Sequence, residues 1–171
     1  MLNNLNHEAL LLVDCIASLA CDEFHMDDWG VDVRVAACQK GIMVPPGVSF
    51  VFFNQKAKDR QKSLKMVASY WDWDPRINPD YYYKYFGGTA PTHHLYGLDV
   101  ALDMLLKESI EAVWKRHEVL AKAIWAAIDE WAKGGELKAN IQDKNLRSNA
   151  VTSLRVNLSL IHISEPTRPI R

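Results

Sequence analysis

The chain has 171 residues, 49% of them apolar, enough to bury one core and by length a single domain. Lysine and arginine total 20 against 21 acids, a formal net charge of -1, so no basic excess points to nucleic acid. No apolar run approaches the roughly eighteen residues of a membrane span. The start, Met1-Leu2-Asn3-Asn4, lacks the charged and apolar segments of a signal peptide, and cytoplasm is the default compartment. Three cysteines, Cys15, Cys21 and Cys38, show no CxxC spacing, which indicates neither a disulfide framework nor a zinc site.

In chain order, residues 10–13 form an apolar run that stops at Asp14. Residues 31–37 form a β-branched run that stops before Cys38-Gln39-Lys40-Gly41. Both read as strands with a polar group at the carboxyl end. In open α/β sheets ligands sit in the crevice outside those ends, so Asp14 and Lys40 can face one ligand. Taken alone, the dipeptide Gln39-Lys40 reads more readily as a solvated loop. Pro45-Pro46-Gly47 stiffens the backbone after Lys40, because proline locks φ and glycine permits a turn. Residues 48–53 read as a third strand, and Asn54 as the cap of a charged helix over residues 55–66. Strand, site loop, strand and helix together point to the α/β class.

Residues 70–75 and 81–86 are crowded with aromatics but have no clean period. Without basic partners they do not suit nucleic-acid stacking, and burial at a subunit contact fits them better. Gly87-Gly88-Thr89 precedes a helical pattern from about His94, a placement that lets backbone amides and a hydroxyl approach an anion. His93 and His94 lack a third ligand at metal spacing and read as packing or hydrogen-bonding residues. Ser109 is placed to cap a long helix whose apolar positions, Ile110 through Trp131, recur at three and four. Gly134-Gly135 ends it, and residues 149–156 read as a strand.

Three segments, in this order, carry a family likeness. Leu12-Val13-Asp14-Cys15-Ile16-Ala17-Ser18-Leu19, then Asp27-Asp28-Trp29-Gly30-Val31-Asp32-Val33, then Gln39-Lys40-Gly41-Ile42-Met43-Val44-Pro45-Pro46-Gly47 resemble the class V pyridoxal-phosphate aminotransferases, most closely the serine–glyoxylate and alanine–glyoxylate enzymes. The likeness continues through Gly87-Gly88-Thr89-Ala90-Pro91 and Leu95-Tyr96-Gly97-Leu98 to about Val156.

The resemblance implies part of the large domain of a fold-type I transferase over residues 1–133, and the start of the small C-terminal α+β domain over residues 134–157. It implies pyridoxal 5'-phosphate as cofactor and transamination of a small amino acid, serine or alanine, with glyoxylate or another small 2-oxo acid. A pyridinium ring draws electrons only while its nitrogen is protonated, and a carboxylate against that nitrogen favours the charged form. By resemblance Asp14 has that role and Lys40 is the Schiff-base lysine and proton shuttle. Gln39 corresponds to a phosphate donor, Ile16 to a residue pressing on the ring face, and Thr89 to a threonine reaching the phosphate of the neighbouring subunit in a homodimer with shared sites. Phe86 stands where relatives often carry a tyrosine with a further phosphate hydroxyl.

Other phosphate donors and a ring-stacking aromatic are expected upstream of residue 1, and a substrate-carboxylate arginine downstream of residue 157. The chain as written is therefore expected to be an inactive fragment. A desulfurase or lyase of the same class, or a subunit that keeps the fold without catalysis, stays open as an alternative. Residues 158–168 read, codon for codon, as the transposon-end adapter of sequencing libraries, so residues 158–171 are expected to be read-through and not native protein.

Overall fold

Residues 7–77 and 79–156 are described by a computed structural model. The expected tail, residues 158–171, lies outside the described residues.

The three apolar runs form one sheet. Its strands are β1 (Leu12–Asp14), β2 (Val33–Ala37) and β3 (Ser49–Phe53), in that order. β1 pairs parallel to β2, Asp14 opposite Val35, and β2 pairs antiparallel to β3, Ala37 opposite Ser49. Asp14 and the chain leaving Ala37 consequently lie at the same end of the sheet.

The parallel β1 to β2 connection runs through turns, with Ala20 at φ +66°. A buried carboxylate pins its far end. Asp32 Oδ2 accepts from Leu11 N at 2.8 Å and from Lys56 Nζ at 3.3 Å, while Oδ1 accepts from Asn54 Nδ2 at 2.9 Å. One side chain thus joins the entry of β1, the exit of β3 and the helix that follows.

That helix, α1 (Gln55–Lys62), starts as expected, Asn54 Oδ1 accepting from Ala57 N at 2.9 Å. It stops short of residue 66, because Ser63 turns its hydroxyl and its amide back onto Arg60 O at 2.7 and 3.2 Å and closes the last turn. The aromatic stretch beyond folds into 3₁₀ turns at Ser69–Trp71 and Tyr82–Phe86 around the short helix α2 (Asp74–Ile77). Trp73 anchors it by stacking on Phe53 at 4.5 Å between ring centroids. Tyr70, Trp71, Tyr81, Tyr82, Tyr83 and Tyr85 stay exposed.

Two long helices follow, α3 (Thr92–Glu108) and α4 (Ile110–Trp131), joined at Ser109. Ser109 caps α4 as expected, Oγ accepting from Ala112 N at 3.3 Å. The core gathers Ala20, Cys38, Ile42, Val44, Ala101, Leu105 and Val113 between these helices and the loop after β2. The apolar stripe of α4 is wider than its buried contact. Val113, Ala121, Trp125 and Ile128 are buried, whereas Leu120, Ile124 and Trp131, also on the 3.6-residue pattern, face outward.

The last described residues form a second sheet of β4 (Leu137–Ala139) and β5 (Leu154–Val156), paired antiparallel. β4 was not legible in the sequence, and the strand expected over residues 149–156 is confined to its last three. Asn140 N donates to Ser153 O at 2.9 Å just before β5, and the residues further upstream are held by side chains. Ser148 Oγ donates to Asp22 Oδ2 at 2.6 Å, Asn149 N to Asp22 Oδ1 at 2.9 Å, and Trp125 Nε1 to Thr152 Oγ1 at 3.2 Å. Among the described residues no helix is long and apolar enough to cross a membrane, and no group of His, Cys, Asp or Glu is placed to hold a metal.

Candidate active site

Asp14 ends β1 with its carboxylate exposed. Its Oδ1 accepts from Ile16 N at 2.9 Å, closing a local turn that fixes the side chain and leaves the second oxygen for another donor. Ile16, two residues on, is 37% exposed, so an apolar β-branched surface stands beside the acid. Cys15, between them, is buried and its amide donates to Val35 O at 2.8 Å, which extends the β1 to β2 ladder past Asp14.

Lys40 and Gln39, both exposed, sit on the loop that leaves the neighbouring strand. The loop is tied at its feet, Cys38 N donating to Val48 O at 3.1 Å and Val44 N to Cys38 O at 3.0 Å. Lys40 O accepts from Met43 N at 2.9 Å, and Met43 takes φ +63° to complete that turn. Ile42 and Val44 point into the core while Lys40 points out. The lysine is therefore carried on a loop whose other face is packed against α3 and α4.

Gly41 explains how the two turns meet. A Cβ there would fall 2.2 Å from Leu19 O and 2.7 Å from Cys21 Sγ, so only glycine lets the lysine loop seat on the turn that follows Asp14. The motif contained that glycine; what it touches was not legible. The resulting donor set is a carboxylate, a primary amine and an apolar side chain at the carboxyl ends of adjacent parallel strands. In type these are the groups that a planar cationic ring carrying an aldehyde calls for: an acid for a ring N–H, an amine for the aldehyde and an apolar surface for a face.

A hollow of about 310 Å³ opens beside Lys40, lined also by Ala17, Cys21, Arg116, His117 and Asn149. Arg116 is committed to Glu108, with Nε to Oε1 at 2.7 Å and an amino group to Oε2 at 3.0 Å, and that pairing holds the Glu108 carboxyl below its ordinary range. Burial pushes the Cys21 thiol up, with the charge of Asp22 adding to it, which disfavours the thiolate form.

Thr89 is not brought to Lys40. It is exposed on the turn before α3 and lines a separate hollow of about 580 Å³ with Phe53, Trp73, Arg76, Tyr85 and Phe86. Gly87, at φ +67°, ends the preceding 3₁₀ turn, and the Arg76 guanidinium lies where its Cβ would go, 2.6 Å away. Sequence reasoning missed Asp22 and Asp32, whose partners lie far along the chain, and it left His94 without a partner; in the structure His94 Nε2 meets Pro46 O at 3.0 Å.

Comparison with known proteins bears on the family and the fold. A family profile described as aminotransferase class-V matches residues 2–163. The chain is 35% identical over 159 residues to a serine–glyoxylate aminotransferase of Arabidopsis thaliana, covering 91% of this chain and 38% of the relative. It is 29% identical to an alanine–glyoxylate aminotransferase of Oryctolagus cuniculus, covering 90% of this chain and 39% of that protein. Among solved structures, pyridoxamine–pyruvate aminotransferase from Mesorhizobium loti superposes with a TM-score of 0.72 at 27% identity, over 86% of this chain and 37% of that one. Alanine–glyoxylate aminotransferase from Nostoc superposes with a TM-score of 0.70 at 26% identity, over 85% of this chain and 38% of that one. The expected α/β architecture is thus that of part of a fold-type I aminotransferase, and the chain spans less than two fifths of the relatives it matches. With a profile match over nearly its whole length and a relative 35% identical over 91% of it, the chain belongs to the class-V aminotransferase family.

Proposed function

We propose that the intact protein is a pyridoxal-phosphate-dependent aminotransferase that moves the amino group of a small amino acid, serine or alanine, to glyoxylate or another small 2-oxo acid. The observation that carries this reading is the parallel pairing of β1 with β2, which sets Asp14 and the Lys40 loop at one end of the sheet. Serine–glyoxylate and alanine–glyoxylate aminotransferases among the relatives support the substrate class.

The cofactor supplies an electron sink next to the substrate α-carbon when bound. Asp14, fixed by its own turn, would hold a proton at the ring nitrogen by placing a carboxylate against it. Ile16 would keep water off one ring face, and Gln39 would donate its amide hydrogens to the phosphate. Lys40 would attach the cofactor through its amine and, once displaced by substrate, move a proton from the substrate α-carbon as a general base. Thr89 faces a hollow apart from Lys40, an arrangement suited to serving the phosphate of a neighbouring subunit in a homodimer. Residues 1–133 would then belong to the large domain and residues 134–157 open the small one.

Borohydride reduction of the intact, cofactor-loaded protein followed by peptide mass analysis should place the label on Lys40. A label on Lys56 or Lys62 ends the assignment.

A further inference from the structure

We infer that His94 is a positioning residue for the lysine-bearing loop, holding residues 38–48 in the pose that presents Lys40; this rests on the reading of Lys40 given above. The loop contains Pro45-Pro46, two residues with carbonyls to satisfy and no amide hydrogen to offer. Each carbonyl is met from a different side. Pro45 O accepts from Cys38 Sγ at 3.1 Å, inside the loop, and Pro46 O lies 3.0 Å from His94 Nε2, on the first turns of α3. For that contact to be a hydrogen bond Nε2 must carry the proton, which fixes the tautomer when the ring is neutral.

The ring also occupies the space next to Gly47. A Cβ there would lie 2.4 Å from Nε2 and 2.9 Å from Cε1, and Gly47 takes φ +153°, so the backbone is shaped around the imidazole. One turn further along α3, a Cβ on Gly97 would stand at ordinary packing distance, 3.6 Å, from Val44 Cγ1, and Leu98 packs on the core that buries Val44 and Ile42. Successive residues of α3 therefore clasp the loop, and His94 supplies the polar contact of that clasp. Val44 N bonded to Cys38 O and Cys38 N bonded to Val48 O close the loop at its base, close to Lys40. A shift of the diproline segment is thus passed to the lysine through a short, doubly tied loop.

The test uses the intact protein with pyridoxal 5'-phosphate as probe. The dissociation constant is read from tryptophan fluorescence, the absorbance maximum of the bound cofactor is recorded, and folding is monitored by circular dichroism. His94→Phe keeps a flat ring without a donor and should weaken cofactor binding about tenfold, the effect of losing one hydrogen bond, and shift the maximum. His94→Gln, whose amide nitrogen reaches a similar point, should return both readouts to within about threefold of wild type and to its maximum. If His94→Phe does not fold, His94→Asn, whose donor stops short of Pro46, takes its place. Wild-type affinity and maximum in the donorless variant overturn the inference, as does His94→Gln binding no better than His94→Phe. Borohydride labelling of wild type separates the two ideas: label away from Lys40 removes the underlying reading, whereas label on Lys40 with unaffected His94 variants removes only this inference.

Discussion

Gly41 is where a single hydrogen atom decides the site. Its position faces the carbonyl of Leu19 at 2.2 Å from a hypothetical Cβ, and a backbone oxygen cannot swing aside as a side chain can. Gly41→Ala should therefore destabilise the intact protein by about 1–3 kcal/mol, the range for overpacking, and lower its cofactor affinity because Lys40 is the adjacent residue. Urea unfolding and cofactor titration of the same variant check both halves. At Asp32 burial raises the carboxyl pKa, but bonds from Asn54, the Leu11 amide and Lys56, with the charge of Lys56, outweigh it and the net shift is downward. A depressed folded pKa means stability that is present above the unfolded value, near 4, and lost as pH falls through the folded one. Asp32→Asn should cost roughly 1–3 kcal/mol at pH 7, and the gap to wild type should close as pH falls from the unfolded value through the lower folded one. Denaturant melts across that pH series give the answer, and a gap that widens towards acid contradicts it.

Among the elements, the segment leading to β5 is tied at Ser148 and Asn149 to the turn that follows Asp14. Asp22 accepts from Ser148 Oγ and Asn149 N, contacts that span more than a hundred residues of chain. Asp22→Ala removes both acceptors at once and should speed amide hydrogen exchange at Asn149 and Ala150 about tenfold, leaving the amides of β2 unchanged. Equal protection in both proteins shows that the segment is held by other contacts. The same turn contributes Cys21 to the hollow beside Lys40, and Asn149 also lines it, so this clasp shapes part of the wall of the candidate site.

For the whole molecule, the separate placement of Lys40 and Thr89 leads to a test of subunit sharing. If each site takes its lysine from one chain and its threonine from the other, mixing a Lys40→Ala protein with a Thr89→Ala protein produces heterodimers with one doubly defective site and one intact site. Re-assembled at equal concentration, the pair should show roughly a quarter of wild-type activity, above either parent. No recovery in any mixture means that the sites are not shared. Under that proposal the exposed Tyr70, Tyr85 and Trp71, which line the hollow with Thr89, would be part of the surface that meets a second copy, contact surfaces being rich in aromatics.

Local chemistry alone makes much of this legible in the sequence. Apolar runs ending in polar residues located β1, β2 and β3, Asn54 and Ser109 announced their helices, and the order of three motifs pointed to the family. These signals are short-range: a cap bonds three residues ahead, and a strand shows its period within five. What the tertiary structure alone decided joins residues distant in sequence. The parallel register opposing Asp14 to Val35, the seat of Gly41 on Leu19, the Asp32 bonds to Leu11 and Asn54, and the reach of Asp22 to Asn149 depend on which surfaces meet once the chain has turned back. No periodicity encodes that meeting. The sequence named Asp14 and Lys40, but a parallel ladder put them at the same end of the sheet, because only hydrogen bonding between two strands fixes where the end of one lies against the other.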